Sequence, residues 1–202
     1  MQEIGRIAFL QVQRSALVIE DQHQDYYYDP TPLLAVESLQ LTPEGVIGRT
    51  ANGSRVMDVH HMHHPDSHNN KGLNGVSLGF TSHYASMRQA FGNHLVDGSA
   101  GENIIIEAET ILTLGDLGKR LVIQTQCTGQ KIYLTRLKVA TPCVEFSQFA
   151  ANGGMPMAAE QLKATLQFLN EGRRGFYATV VASNEEMCIG IGDRVFADES
   201  DV

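Results

Sequence analysis

The sequence predicts a mostly-β fold, a closed or partly open barrel of bent strands with a few peripheral α-helices. The chain has 202 residues, of which 43% are hydrophobic and 19% charged, a balance typical of one globular core. Short apolar segments recur along it, and nineteen glycines lie among them. Glycine permits the bulges and corners that a bent sheet needs. No linker, repeat or low-complexity tract divides the chain, so we interpret residues 1–202 as a single domain.

The first half of the chain predicts strands joined by turns. Residues 4–19 are apolar at odd and even positions alike, which is typical of a strand buried on both faces. Residues 21–32 are polar and aromatic with two prolines, and we predict a loop there. Strands are predicted over 33–41 and 54–59. Asn52-Gly53 is a hairpin signal because both residues tolerate positive φ.

Two helices and further short strands follow. The first helix is capped by Thr81 or Ser82, and its apolar stripe comprises Tyr84, Met87 and Phe91. The second covers about 156–170, with Gly172 at the C-terminal cap position and a stripe of Leu162, Leu166 and Leu169. The remaining strands are predicted over 103–106, 121–125, 131–139, 176–181 and 194–197.

Charge and motif content exclude several classes of protein. The formal net charge is -8 and no basic run occurs, which argues against nucleic acid as a partner. No stretch of eighteen apolar residues predicts a membrane span, and the N-terminus lacks the pattern of a signal peptide. We therefore expect a cytoplasmic protein. The absence of GxGxxG, Walker and GxSxG motifs argues against dinucleotide oxidoreductases, P-loop enzymes and esterases.

The cysteines are Cys127, Cys143 and Cys188. Three cysteines at wide spacing suggest neither a disulfide framework nor a cysteine-only zinc site, so free thiols are expected. Cys127 and Cys188 have no functional context and are interpreted as structural. Cys143 directly follows Pro142, which restricts the approach to it. A thiolate there would be a nucleophile or a ligand for a soft metal.

A histidine-rich segment gives an alternative site. It contains His60, His61, His63, His64 and His68, with Asp58 and Asp66 among them. Imidazole is the commonest protein ligand of zinc, so a divalent metal could bind His60, His61, His63 and His64. Such a site would make the chain a metal-binding or interaction module. The spacing matches no zinc signature and HExxH is absent, so a polar loop near the barrel mouth is the competing interpretation.

Three segments, in order, resemble the MOSC family, the molybdenum cofactor sulfurase C-terminal domain. They are GSAGENIII at 98–106, LKVATPCVE at 137–145, and GRRGFYATV at 172–180 followed by GDRV at 192–195. Each motif alone is short, but their order and spacing together are specific. The motif-bearing part covers about 75–198, and the chain looks like a stand-alone, bacterial-type member.

The resemblance implies a PK β-barrel-like fold and a sulfur-handling catalytic cysteine at Cys143. Family members receive sulfur for the molybdenum cofactor (molybdopterin), bind its metal through that thiolate, or reduce N-hydroxylated compounds. The chain would then be a molybdenum-cofactor-dependent oxidoreductase or a sulfur-transfer protein, with an electron donor or a cysteine desulfurase as partner. The pyridoxal phosphate domain of the fused sulfurases has no counterpart here. Thr141 replaces an arginine common in relatives, which leaves the substrate open.

The resemblance also selects cofactor-binding candidates. Gly101, Glu102 and Asn103 would line the cofactor pocket, or would instead form a structural turn at the start of a strand. Arg174 adjoins the Gly175-Phe176-Tyr177 element and would bind the phosphate of the cofactor. Arg136 is a weaker candidate on a neighbouring strand, together with Lys138. Arg173 is expected to stabilise the helix C-terminus instead.

Overall fold

The computed structural model describes residues 1–23, 25–67 and 72–200. Its elements are numbered here in chain order. The strands are β1 (Gln2–Gln13), β2 (Val18–Glu20), β3 (Tyr26–Tyr28), β4 (Leu33–Ala35), β5 (Ser38–Thr42), β6 (Gly45–Arg49), β7 (Arg55–Met57), β8 (Val76–Phe80), β9 (Ile104–Glu107), β10 (Arg120–Gln124), β11 (Lys131–Val139), β12 (Phe176–Val180), β13 (Met187–Gly190) and β14 (Arg194–Asp198). The α-helices in the described residues are α1 (Thr81–Phe91), α2 (Val144–Asn152) and α3 (Ala159–Asn170).

Seven strands close into a barrel in the order β14-β10-β11-β12-β8-β9-β1, and pairing between β1 and β14 completes the ring. All neighbours are antiparallel except β8 and β9, which are parallel. Bulges in β1 between Glu3 and Gly5 and between Ile7 and Phe9 bend it, so that one strand reaches β14, β9 and β4 in turn. The predicted barrel of bent strands is thereby confirmed in its closed form.

The barrel interior is filled by β-branched and aromatic side chains. Ile104 and Ile106 of β9 and Phe176 of β12 are almost completely buried, as short apolar strands predict. The same core continues into a four-stranded sheet of order β13-β5-β6-β7, which contributes Leu39 and Leu41. Burial of these apolar side chains is the main force that holds the two sheets together.

A second apolar cluster packs the helices against the outside of the barrel. The Tyr28 ring lies 5.1 Å from the ring of Phe146 and 5.1 Å from that of Phe149, so the β2–β3 hairpin is fixed on α2. Tyr84 and Met87 of α1 are fully buried in the same cluster. This packing places the loop between β1 and β2 (residues 14–17) beside the N-terminus of α2.

Several predicted elements agree with the structure and several do not. The predicted helix at Thr81 and the strand at 131–139 are confirmed, and the second predicted helix begins at Ala159. The extended stretch over 4–19 was too long, because β1 ends at Gln13 and the chain turns before β2. The predicted loop over 21–32 contains β3. None of the helices in the described residues is both long and apolar enough to cross a membrane.

Strands β6, β8 and β13 were not predicted, and the helix that the sequence patterns missed is α2. It has only nine residues, and it begins directly after Cys143, within the segment interpreted as a strand ending in a Pro-Cys pair. Its N-terminal cap is the Cys143 side chain rather than the serine, threonine or aspartate that usually marks a helix start. The usual sequence signal for a helix N-terminus is therefore absent.

Candidate functional site

A cavity of about 330 Å³ opens between the loop that joins β1 to β2 (residues 14–17) and the N-terminus of α2. Its volume is within the range of small-molecule sites, roughly 300–1,000 Å³. Its lining residues are Gln13, Ala16, Leu17, Val18, Tyr28, Val59, His60, Asp66, Cys143 and Arg174. A thiol, a guanidinium and an imidazole thus face one space that has a largely apolar wall.

A second cavity, of about 380 Å³, is lined by Cys127 and Cys188 together with Glu186 and Asp193. Its described lining includes no lysine, arginine or histidine. Asp193 is occupied by hydrogen bonds from the backbone N–H groups of Gln126 and Gly190, at 2.8 Å each. We assign the candidate site to the Cys143 cavity because only that one joins a thiol to cationic groups.

The N-terminus of α2 positions Cys143. Its Sγ accepts a hydrogen bond from the Phe146 backbone N–H at 3.4 Å, and its carbonyl accepts one from Ser147 Oγ at 2.7 Å. Burial raises the pKa of the Cys143 thiol, although the Phe146 N–H and the Arg174 charge act in the opposite direction. The protonated thiol is therefore the resting form near neutral pH, and a bound cation or metal would be needed to retain the thiolate.

Arg174 lies in the short connection between α3 and β12. Its Nη2 donates to the Ala100 carbonyl at 2.8 Å, whereas Nη1 is buried without a hydrogen-bond partner in the described residues. Its Cζ lies 5.9 Å from the centroids of both the Phe146 and Tyr177 rings. A buried guanidinium with an unused donor group is suited to bind a phosphate or a carboxylate.

Arg173 has the helix-terminal role predicted for it. It donates to the Phe168 carbonyl at 2.9 Å and pairs with Glu171 at the end of α3. Its guanidinium stacks 4.5 Å above the Phe168 ring.

Gly101 allows the chain to approach the cavity wall closely. Its φ is +89°, and a Cβ atom there would lie 2.8 Å from Leu17 Cδ1 and 3.0 Å from Gln13 Oε1. Both of those residues line the cavity. A side chain at position 101 would push the wall inward, so glycine is required by conformation and by space.

Glu102 lies behind the cavity rather than in its lining. It is fully buried, and its Oε2 accepts a hydrogen bond from the Tyr84 hydroxyl at 2.7 Å. The Tyr84 hydroxyl in turn accepts the Ala100 backbone N–H at 2.9 Å. Burial raises the pKa of the Glu102 carboxyl, opposed by Arg174 and by Tyr84. Glu102 thus supports the segment whose Ala100 carbonyl holds Arg174.

Asn103 is also buried outside the lining. Its Nδ2 donates to Asp58 Oδ2 at 2.8 Å, and its Oδ1 accepts hydrogen bonds at 3.0 Å from both the backbone N–H and the hydroxyl of Ser77. Asp58 is completely buried and also accepts the Gln13 backbone N–H at 2.7 Å. Its other oxygen is 2.9 Å from His60 Nδ1. Asn103 therefore orients His60 in the cavity wall through Asp58.

The structure does not bring Arg136 to this cavity. Its side chain is exposed, its φ is +53°, and it lies in a β11 bulge where the pairing register with β12 shifts between Thr135 and Lys138. Four of the predicted pocket residues are therefore not in the lining, whereas Cys143 and Arg174 meet there; the four are Gly101, Glu102, Asn103 and Arg136.

The alternative metal site is not assembled in the described residues, where no three His, Cys, Asp or Glu side chains are grouped to hold an ion. The imidazoles are used within the turns instead. His61 Nδ1 accepts the His63 backbone N–H at 3.2 Å, and His64 Nδ1 accepts that of Asp66 at 3.1 Å. His60 faces the Cys143 cavity. His68 lies outside the described residues.

The apolar wall of the cavity was not predicted from the sequence. Leu17, Val18 and Tyr28 come from a segment with no motif, and they reach the cavity only because the β2–β3 hairpin packs on α2. The resemblance gave no signal for them, since its motifs begin after residue 74.

Comparison with known proteins supports the geometry. The model of the MOSC domain family matches residues 74–196, which is more than half of the chain. No curated protein matches the chain in sequence.

Two solved structures share the fold at low sequence identity, and a third gives a lower score. The YuaD protein from Bacillus subtilis superposes with a TM-score of 0.56 at 13% identity, covering 95% of this chain and 93% of that one. A hypothetical protein gives 0.52 at 13%, covering 95% and 67%. YiiM from Geobacillus stearothermophilus gives 0.46 at 14%, covering 96% and 73%. Together with the matched barrel motifs, the family match leads to one conclusion: this chain belongs to the MOSC domain family.

Proposed function

We propose that the chain binds the molybdenum cofactor in the Cys143 cavity, with the Cys143 thiolate as the metal ligand. The observation that carries the proposal is the meeting of the Cys143 thiol with the Arg174 side chain in the lining of one cavity. MOSC domains are associated with molybdenum cofactor binding or sulfurase activity. A soft thiolate suits the metal and a guanidinium suits the phosphate of the pterin, so the residues present fit the group.

Each residue has a separate task in this proposal. Cys143 would hold the metal through its thiolate, and the Phe146 N–H at the start of α2 would stabilise that thiolate. Arg174, held at the Ala100 carbonyl, neutralises an anionic group of the cofactor. Leu17 and Tyr28 exclude water from this side of the cavity. When bound, the cofactor supplies two-electron redox chemistry.

The reaction class that we propose is the reduction of N-hydroxylated compounds. Such a compound, R–NH–OH, takes up two electrons and two protons and yields R–NH₂ and water. The electrons would come from an external redox protein. His60, held at Nδ1 by Asp58 and facing the cavity, is the side chain placed to deliver a proton. A reducing compartment such as the cytoplasm would keep the thiol available.

The experiment is metal and pterin analysis of the chain purified from a host that makes the cofactor. Wild type, Cys143→Ala and Cys127→Ala are compared, because Cys127 is an exposed cysteine away from the cavity. We expect molybdenum and pterin together in wild type and Cys127→Ala, and neither in Cys143→Ala. Equal molybdenum in all three proteins would refute Cys143 as the ligand.

Sulfur transfer is the second candidate, supported by the same half-buried thiol at a helix N-terminus. A cysteine desulfurase would then be the partner. Wild type without molybdenum or pterin, but with a persulfide trapped on Cys143 after incubation with a desulfurase and cysteine, would favour this function over cofactor binding.

A further inference from the structure

The second cavity is lined by two cysteines that the proposed function does not use. Cys127 lies in the turn between β10 and β11 of the barrel, and Cys188 lies on β13 of the four-stranded sheet. Both are free cysteines, and the third cysteine of the chain, Cys143, lines the other cavity. Two thiol-bearing residues from different sheets therefore border one space.

One carboxylate fastens the two cysteine-bearing segments to each other at one end. Asp193 accepts the backbone N–H of Gln126 through Oδ1 and that of Gly190 through Oδ2, at 2.8 Å each. Gln126 directly precedes Cys127, and Gly190 follows Cys188 by two residues. Both cysteines thus lie within two residues of a shared anchor.

A side-chain amide fastens the same segments at the other end. Gln130 Nε2 donates to the Glu186 carbonyl at 3.3 Å. Gln130 lies three residues after Cys127, and Glu186 lies two residues before Cys188. Each cysteine is therefore between two fastened points, so the fold fixes the position of the two segments relative to each other.

The pleat of β13 turns Cys188 away from the core. Met187 and Ile189 on either side of it belong to the buried core, and successive side chains of a strand point to opposite faces. Cys188 Sγ lies 3.6 Å from Glu186 Oε1, which is exposed. Cys127 is exposed as well. Both thiols can therefore release their protons to solvent and bind an ion that enters from outside.

The available ligands select the class of ion. Across the residues that the structure describes, no three His, Cys, Asp or Glu side chains are grouped to hold a metal, so a four-ligand zinc site is not formed. Glu186 is paired with Arg49, which leaves the two thiols as ligands. Thiolates select monovalent copper, a soft ion that two sulfur ligands can bind in a linear arrangement.

We propose that Cys127 and Cys188 bind monovalent copper through their two thiolates, at a site separate from the Cys143 cavity. Binding replaces two S–H bonds with two copper–sulfur bonds and releases two protons, and the copper keeps its oxidation state. The bound ion links the β10–β11 turn of the barrel to β13 of the four-stranded sheet. The inference goes beyond the proposed function and does not rest on it.

Copper(I) is the probe, titrated without oxygen into the full chain in competition with a chromophoric copper(I) chelator. Wild type, Cys127→Ser and Cys188→Ser are compared with Cys143→Ser, which is the matched control. We expect one tight equivalent in wild type and in Cys143→Ser, with equal affinity. Each of the other substitutions should weaken binding about a hundredfold, because the remaining thiolate loses the advantage of a linked second ligand. Wild-type affinity in either variant, or no binding to wild type, would overturn the site.

Gel filtration tests whether the ion is held within one chain. Copper-loaded wild type should elute at the same volume as the copper-free chain. Copper found only in a dimer would show that the exposed Cys127 bridges two chains, and would reject the proposed site.

Thermal unfolding tests the link between the barrel and the four-stranded sheet. Copper(I) should raise the unfolding temperature of wild type and Cys143→Ser but not of Cys127→Ser or Cys188→Ser, since an ion that binds the folded chain stabilises it. Circular dichroism of the copper-free variants shows that they are folded. An equal rise in all four proteins would contradict the site. Because Cys143→Ser keeps the copper site, failure of the cofactor proposal and failure of this inference are separate results.

Discussion

The two parts of the chain contribute differently to the Cys143 cavity. The part that matches the family, residues 74–196, supplies Cys143 and Arg174. The part before it supplies the other described lining residues, including the apolar wall of Leu17 and Tyr28 and the imidazole of His60. The groups that could bind a metal or an anion thus come from the matched barrel, and the surface that would contact a substrate comes mostly from outside it.

This difference suggests where the function is fixed and where it can vary. In the proposed function, the thiol at the start of α2 and the guanidinium before β12 hold the cofactor, whereas the separately packed β2–β3 hairpin can change shape without altering them. The parts are joined by the pairing of β1 with β9 and β14, and beside the cavity by the bond from Asn103 to Asp58 and the close approach of Gly101 to Leu17. If this division is correct, changes to the wall should leave cofactor binding intact, whereas loss of a contact between the parts should lower the stability of the whole chain.

The largest effect is expected from Asn103→Ala, which removes a buried hydrogen-bond junction between the parts. Asp58 and Ser77 would each lose a buried hydrogen-bond partner, and such losses cost about 1–3 kcal/mol each. We expect the free energy of unfolding to fall by about 2–4 kcal/mol in urea denaturation, within the range of large single-residue effects. Asn170→Ala, at the exposed end of α3, is the control and should change it by less than about 0.5 kcal/mol. A small effect of Asn103→Ala would mean that this junction adds little to the stability that the pairing of β1 with β9 and β14 already provides.

An intermediate effect concerns the reactivity of Cys143 without cofactor. Because burial raises the pKa of its thiol, the thiolate fraction near neutral pH is smaller than in the unfolded chain. Alkylation of Cys143 by iodoacetamide, followed by mass spectrometry of its peptide, should be slower in the folded chain than in urea. The folded rate should also continue to rise at alkaline pH values at which the unfolded rate has levelled off. Faster alkylation in the folded chain would show that the site activates the thiol before any ligand binds.

The raised pKa of the Cys143 thiol also predicts the pH dependence of metal binding. The thiol must lose a proton to become a ligand, so binding releases a proton and the affinity should increase as pH rises toward the raised pKa of Cys143. Above that pKa the dependence should disappear.

The smallest effect is expected from Ala16→Leu, which adds bulk to the wall contributed by the first part. Ala16 is exposed at the cavity, so the substitution should not disturb the core. The rate of Cys143 alkylation by N-ethylmaleimide should fall relative to that by the smaller iodoacetamide, while molybdenum content stays unchanged. Ala182→Leu, at an exposed loop outside the cavity, serves as the control. Loss of molybdenum in Ala16→Leu would show that the wall also determines cofactor binding, which contradicts the proposed division between the two parts.

The sequence predicted the barrel well because its strands carry their own signals. Runs such as Ile104–Ile106 and the strand at 131–139 are apolar, short and bounded by turn residues, so their type follows from local pattern. It selected Cys143 and Arg174 as candidates because both lie in family motifs, and the structure places both in the lining of one cavity. It did not predict α2, whose cap is a cysteine, nor the hairpin whose Tyr28 packs on Phe146. Those features depend on contacts between distant segments, which no local pattern contains.

The Gly101-Glu102-Asn103 motif shows the same limit of local sequence patterns. Its residues were predicted to line a pocket, yet Glu102 and Asn103 act through Tyr84 and Asp58 one layer behind it. Sequence patterns identify a position as important but do not distinguish a residue that touches a ligand from one that holds such a residue.

The most direct test of the account is X-ray absorption at the molybdenum edge of the purified chain, for wild type and Cys143→Ser. Serine keeps the size of the side chain and replaces the soft sulfur with oxygen. The account predicts one protein sulfur among the molybdenum ligands of wild type, which is absent from whatever molybdenum the variant retains. The same number of sulfur ligands in both proteins would contradict a role for Cys143 at the metal.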